Sequence, residues 1–327
     1  MSSEQQNTQR VGIVTRIWNA GRLELRMLAL VLFLCTVLSI ATPHFLSINN
    51  ILNVMDQTVT LGIIAIGATL VILTGGIDLS VGSMLGMCGI VFGLTATSIG
   101  FYPAILLCMV TGAAAGSVSG LLVTRVGLAP FVATLGMMSI ARSQAYVLSG
   151  AKSINLLPPE LEALGDATIY GFPVNFLCLI LLYLIMWFFL NRTKLGRSVY
   201  AIGSNEEAAR LAGVAVAPIK TMCYALSGLF CAVASIFSSS RILSIDPLAG
   251  NGAELESIAA VVIGGASLFG GRGSIIGTFM GVLIMVLIRN GLNLLRIDAY
   301  WQGTAIGSVI ILALILESFS SKVSSNK

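Results

Sequence analysis

Long apolar runs recur along the chain from residue 26 to residue 317, separated by short polar stretches. A helix crosses a bilayer with about 20 mostly apolar residues. By that measure the runs predict about ten membrane-spanning helices: 26–42, 58–74, 80–98, 102–124, 129–149, 173–190, 218–240, 256–269, 273–293 and 299–317. The eighth is short, and the third begins in a Gly/Ser-rich stretch. No polar domain interrupts the series. The expected architecture is an all-α integral membrane protein: a cytoplasmic N-terminal segment (1–25), one polytopic transmembrane domain (26–317) and a cytoplasmic tail (318–327).

Composition agrees. Apolar residues make up 56% of the 327 and charged residues 10%, against about 25% charged in soluble domains. The surface must therefore face lipid. Charge also orients the runs, because cytoplasmic loops carry the excess of Lys and Arg. Arg10, Arg16, Arg22 and Arg26 precede the first run, and Arg125, Arg192, Lys194, Arg197, Arg210, Lys220, Lys322 and Lys327 alternate onto the same side. Loops on the other side are acidic, with Glu160, Glu162, Asp166, Asp246, Glu254 and Glu256. Lys152, Arg241, Arg289 and Arg296 run against the rule, too few to reverse it. Both termini are expected in the cytoplasm. The first run is expected to be a retained span, since no A-x-A-type cleavage site follows it.

The net charge of +4 is small and spread out, which argues against nucleic acid as a partner. Cys35, Cys88, Cys108, Cys178, Cys223 and Cys231 all fall in apolar runs, with no CxxC and no Cys/His spacing suited to zinc. They read as small buried hydrophobes, and no metal is expected. Nothing resembles a nucleophile–base pair or paired catalytic carboxylates, so an enzyme is not expected.

An internal echo stands out. Residues 75–86 read GGIDLSVGSMLG and residues 270–281 read GGRGSIIGTFMG. At a constant offset Gly75, Gly76, Gly82 and Gly86 align with Gly270, Gly271, Gly277 and Gly281, and Ser83 aligns with Thr278. Gly-interrupted segments in corresponding halves point to a translocation site in transporters. Small residues also simply let helices pack closely. The span count puts both copies on one side, a parallel relation; a re-entrant segment would make it inverted.

The largest cytoplasmic loop, 191–217, contains a short stretch, GSNEEAARLAG, compatible with a helix. Ser204 can cap it with Glu207 completing a capping box, and Gly213 can end it. Such a helix suits docking in a cleft of a soluble partner, though an ordinary solvated loop would look similar. Here the chain resembles the permeases of bacterial sugar ABC importers, the ribose-type carbohydrate uptake class 2. The resemblance rests on TLVILTGGIDLSVGS (69–83), GLAPFVATLGMMSIARS (127–143), TKLGRSVYAIGSNEEAARLAGV (193–214), ELESIAAVVIGGASLFGGRGSIIGT (254–278) and NGLNLL (290–295). It covers nearly everything from about residue 45 to 315, departing modestly at Ala129-Pro130, where a Pro-Ser or similar pair is usual.

The resemblance implies a permease that works in pairs, homo- or heterodimeric, beside ATP-binding subunits and fed by a periplasmic solute-binding protein, in the bacterial inner membrane. It implies that Gly203, Ser204, Asn205, Glu206, Ala208, Ala209 and Gly213 carry the ATPase contact, with Ala208 and Ala209 in the cleft. No GxxxxGK[ST] phosphate loop occurs, so this chain cannot bind ATP by that device; ATP belongs to the partner and no cofactor is expected here.

Candidate pathway residues are Gly75, Gly76, Asp78, Ser80, Gly82, Ser83, Gly270, Gly271, Arg272 and Gly277. An ionised side chain at a helix centre costs about 2.5–3.5 kcal/mol on insertion scales, so Asp78 needs protein, water or a counter-charge. It can pair with Arg272, or cap the following helix by accepting near Ser80 and Val81. Arg142, inside the fifth run, likewise needs a partner or must snorkel. Arg289, Asn293, Tyr300, Trp301 and Gln302 can line an outer mouth, although aromatics there can equally be interfacial anchors. His44 is a loop residue. The solute itself is not legible: a monosaccharide fits the resemblance, while a branched-chain amino acid, a nucleoside or a furanosyl signal would leave the same sequence features. An ion-coupled secondary transporter would be expected to carry more intramembrane polar residues than Asp78 and Arg142.

Overall fold

The computed structural model describes residues 24–298 apart from Leu156, together with Trp301, 303–308 and Ile311. The arginines at 10, 16 and 22, both tail lysines, Tyr300, Gln302 and most of the tenth run lie outside the described residues. The chain is helical almost throughout. Twelve helices follow in order up to residue 298, and the described residues beyond it are helical as well: α1 (Glu24–Ala41), α2 (Ile48–Leu73), α3 (Val81–Ile99), α4 (Phe101–Leu121), α5 (Pro130–Ser149), α6 (Pro159–Asp166), α7 (Val174–Arg192), α8 (Lys194–Ser204), α9 (Glu206–Leu211), α10 (Val216–Ile242), α11 (Ala253–Ile263) and α12 (Ile275–Leu294). A two-residue hairpin, β1 (Thr168–Ile169) with β2 (Phe172–Pro173), links α6 to α7.

Seven of these helices (α1, α2, α3, α4 with the π-helical turn that follows it, α7, α10 and α12) are long and apolar enough to cross a membrane. Their bounds match the predicted runs closely, except that α2 begins ten residues earlier than expected. Asn50, Asn53, Asp56 and Gln57 dilute the start of that helix, but Ser47 caps it by accepting from the Asn50 amide at 3.3 Å. Two predicted spans differ in kind. The fifth is a 20-residue helix, α5, that is less apolar than the others. The eighth is shorter than expected: α11 has 11 residues and stops at Gly264.

Helix α10 lies at the centre, packed on α4, α2 and α3. Lipid tails are as apolar as the helices, so association relies on close packing and interhelical hydrogen bonds. Small residues permit it: along the antiparallel α4–α10 contact Gly112 meets Gly228, and Gly116 meets the Tyr224 carbonyl. Helices α2 and α12 run antiparallel, tied at one end by Asn50 and Asn290, whose amides donate to each other at 3.1 and 2.8 Å. Thr69 and Thr278 join near the other end at 2.8 Å. The short α11 folds back on α12 with Gly264 against Gly277 and Ala260 against Gly281, and Arg289 makes an ion pair with Glu256.

Cys88, Cys108, Cys223 and Cys231 are buried and unpaired, Cys35 and Cys178 partly so, in keeping with packing roles. His44 sits in the turn between α1 and α2, where its carbonyl accepts from the amide and the hydroxyl of Ser47.

Candidate functional site

The loop expected at 191–217 holds two helices. Thr193 caps α8 by accepting from the Gly196 amide at 3.0 Å. This helix runs on to Ser204, so Ser204 closes α8 instead of capping the next helix. Asn205 takes the capping role for α9, its backbone extended and its Oδ1 accepting from the Ala208 amide at 2.9 Å. Glu207 makes no capping box; it pairs with Arg210 at 2.7 Å. Gly213, left-handed at φ 82°, closes the segment as expected, its amide donating to the Arg210 carbonyl. Ala208 is exposed, whereas Ala209 is buried within this chain. Glu206 accepts from Lys220 at 2.8 Å, which pins α9 to the start of α10.

The last turn of α8 stands where both glycine turns meet. The Gly271 amide donates to the Leu73 carbonyl at 3.0 Å. Gly203 lies so close that a Cβ on it would overlap that same carbonyl oxygen and crowd the Gly271 amide. A Cβ on Gly270 would stand 2.7 Å from the Gly75 amide nitrogen and 3.0 Å from Gly203 Cα. Gly75 and Gly270 are both left-handed, φ 76° and 87°, a conformation that glycine adopts without steric penalty. Tyr200, which sequence reasoning missed, donates its hydroxyl to the Gly273 carbonyl at 3.0 Å. Burial pushes its phenol up, so it stays protonated and remains a donor. Only its place on the buried side of α8 could have signalled it. Turn 74–76, turn 270–273 and the end of α8 thus form one joint of backbone against backbone.

Both repeat copies leave this joint in the same direction, as the parallel relation requires. Helix α12 is antiparallel to α2, and so is α10, where Ser227 faces Gly67 and Tyr224 faces Gly76. Helix α3 runs with α10, Gly89 lying against Ser235. The copies nevertheless differ in depth. Gly277 stays near the joint beside Gly264, whereas its counterpart Gly82 stands against Gly250 and Glu254 at the far end of α11. Both copies run non-helical between the glycine doublet and the helix, over 77–80 in the first and 272–274 in the second.

Asp78 sits in that stretch, fully enclosed. Its Oδ1 accepts from the Ser80 amide at 3.0 Å and the Ser80 hydroxyl at 2.6 Å; its Oδ2 accepts from Ser227 at 2.9 Å. It is therefore a local cap that also ties the broken segment to α10. The expected pairing with Arg272 is not formed; Arg272 lies in the turn before α12, its carbonyl accepting from Ser267. Nearby, the buried Tyr224 hydroxyl, close to Gly76, has no hydrogen-bond partner among the described residues.

Arg142 finds its partners in carbonyls: one terminal nitrogen donates to Pro247 at 2.6 Å and to Ala249 at 3.1 Å. Ser83 is buried at the start of α3, close to the same loop. Arg289 belongs to the α11–α12 ion pair, and Trp301 is exposed. No group of three or more His, Cys, Asp or Glu side chains that could hold a metal occurs among the described residues.

Broken helices that meet a helical segment set outside the spans define a multi-pass membrane permease. The family model described as the permease component of the branched-chain amino acid transport system matches residues 50–316, and the chain belongs to that family. It is similar to the ribose import permease protein of Escherichia coli (strain K12), 39% identical over 316 residues that cover 95% of this chain and 98% of the relative. It is 41% identical over 287 residues to the ribose import permease protein of Bacillus subtilis (strain 168), 87% of this chain and 89% of that one. The fructose import permease protein of Rhizobium meliloti is 39% identical over 307 residues, covering 91% and 85%. No solved structure matches the chain. These are ABC-type transport subunits, and this chain is a transport protein, not an enzyme.

Proposed function

We propose that the chain is the membrane-spanning subunit of an ATP-driven importer for a monosaccharide or related small polyol in the bacterial inner membrane. Two such permeases, this one with a copy of itself or a close relative, enclose the path. A separate ATP-binding subunit receives α9 and its flanks through Ser204, Asn205, Glu206, Ala208 and Gly213, with Gly203 and Ala209 supporting them from within this chain, and a periplasmic binding protein delivers the solute on the opposite side. About ten crossings with both termini cytoplasmic is the topology that fits this arrangement.

One observation carries the reading: the end of α8 is packed without a gap against Leu73, Gly270 and Gly271. A push on α9 would then reach the broken segment with Asp78 and the α11–α12 turn directly, since tightly packed backbone does not absorb displacement. Ala208, exposed on α9, is the residue offered to the ATPase, while Ala209 supports α9 from within.

The test is uptake of labelled ribose into proteoliposomes holding this chain with its ATPase and binding protein. Uptake that requires ATP and all three components, and that collapses in Ala208→Arg as the ATPase dissociates, is the expected result. Uptake by this chain alone, driven by an ion gradient and indifferent to Ala208→Arg, would falsify it. The description of the matching family makes branched-chain amino acids the second reading; leucine in place of ribose decides between them.

A further inference from the structure

A polar pocket opens beyond the broken segment, where the 243–252 loop folds back along α3 and Met84 packs on Gly228 in the middle of α10. Helix α10, 27 residues and about 40 Å long, has α9 beside its start and the 243–252 loop at its end. Against that loop lies a cavity of about 530 Å³ lined by Ser83, Arg142, Ser143, Tyr146, Asn251 and Glu254, within the roughly 300–1,000 Å³ usual for small-molecule sites. It joins the start of α3, the middle of α5 and the start of α11. The first sequence copy contributes Ser83, and Glu254 comes from the segment that precedes the second.

Three features point to a hydroxylated ligand. Arg142 has five N–H donors, and one nitrogen serves the Pro247 and Ala249 carbonyls; the donors on its other two nitrogens have no protein acceptor among the described residues. Glu254 lines the same cavity, and its buried Oε2 has no hydrogen-bond partner among the described residues. The two opposite charges share the pocket yet make no ion pair. Helix α5 adds the third feature. Ser139, Arg142, Ser143 and Tyr146 recur at three- and four-residue spacing on one face, and Ser139 and Ser143 are exposed. Such a face on a membrane-length helix needs water or protein against it, not lipid. A hydroxyl both donates and accepts, so adjacent hydroxyls of one polyol satisfy a guanidinium and a carboxylate together. A free amino acid offers the same pair an α-carboxylate and an α-ammonium, which makes leucine the competing ligand in the test.

Resting on the import reading, we propose that this pocket is a transient site for the incoming cargo. The cargo class is a neutral polyol of monosaccharide size, with Arg142 as donor and Glu254 as acceptor.

The test uses Ser143→Cys in the full assembly with ATPase and binding protein in proteoliposomes. Modification by a water-soluble thiosulfonate is timed with and without saturating ribose or fructose, while ATP-driven uptake is measured in parallel. Sugar should slow modification several-fold and leucine should not, and Glu254→Gln or Arg142→Lys should abolish the protection, each variant being compared with its own rate in the absence of sugar. Ribose uptake without protection, or protection that persists in Glu254→Gln, overturns the pocket and leaves the import reading standing. An assembly that carries leucine and no sugar overturns the sugar reading and the pocket with it.

Discussion

At the scale of single residues, Asp78 illustrates how a carboxylate is kept inside a membrane protein. Three donors, from Ser80 and Ser227, converge on it. Removing a buried acceptor strands its donors at a cost of about 1–3 kcal/mol. Asp78→Ala is therefore expected to lower the midpoint of thermal unfolding in detergent. Asp78→Asn, which keeps one oxygen, should lower it less. Equal midpoints for both variants would show that the hydrogen bonds carry little. The sequence marked Asp78 as needing a partner, and its role as a cap was legible two residues ahead of Ser80. Ser227, 149 positions along the chain, was not, because a serine in an apolar run looks like any small packing residue.

Gly203 belongs to the same scale. A β-carbon there has backbone on both sides, at Leu73 and Gly271, and backbone cannot rotate away. Gly203→Val should separate α8 from the joint and abolish ATP-driven uptake even where the chain still inserts. Gly213→Ala, with open space around it but a left-handed backbone, should cost only about 1 kcal/mol. Uptake by the two variants, normalised to membrane-inserted protein, separates close approach from backbone conformation.

At the scale of elements, α9 is six residues long and cannot persist on its own propensity. It is held by its Asn205 cap, the Glu206–Lys220 pair and the burial of Ala209. Asn205→Ala removes the cap, a change typically worth about 1 kcal/mol. Affinity for the ATPase, measured by titration in nanodiscs, is expected to fall roughly fivefold if all of that energy serves docking; Asn205→Asp should retain it. Tyr200→Phe acts on α8 instead. It deletes the bond to Gly273, so ATP hydrolysis should continue while uptake declines. Equal losses of hydrolysis and uptake would place Tyr200 in docking, not in transmission. The positions of α2, α10 and α12 were legible because their apolar runs are long. Helix α8 was not, because it is too short and too polar to stand out as an apolar run, although its apolar residues recur at the spacing of an amphipathic helix. The cap was misplaced by one residue for the same reason: with α8 unseen, Ser204 looked like a boundary.

At the scale of the whole molecule, the antiparallel α2–α12 pair and the α11–α12 fold join the two sequence copies into one body. The Asn50–Asn290 clasp and the Glu256–Arg289 pair lie away from the joint and hold the far end of that body. Exchanging Glu256 and Arg289 for one another should restore stability lost in either charge-removing single variant. Each single variant leaves a partly buried charge without its partner, whereas the exchange preserves the pair.

What the chain's own sequence determined is the material and its punctuation. Apolar runs demand lipid and glycine doublets favour turns, both consequences of local chemistry. The tertiary structure decided which turns meet. That Gly75, Gly203 and Gly270 share one point, and that Arg142 and Glu254 share one pocket, depends on contacts between residues far apart in the chain. Helix α3 starts at a different depth from α12, Gly82 meeting one end of α11 and Gly277 the other. Local periodicity is blind to such a shift, because it reports the state of each segment and not its depth against another.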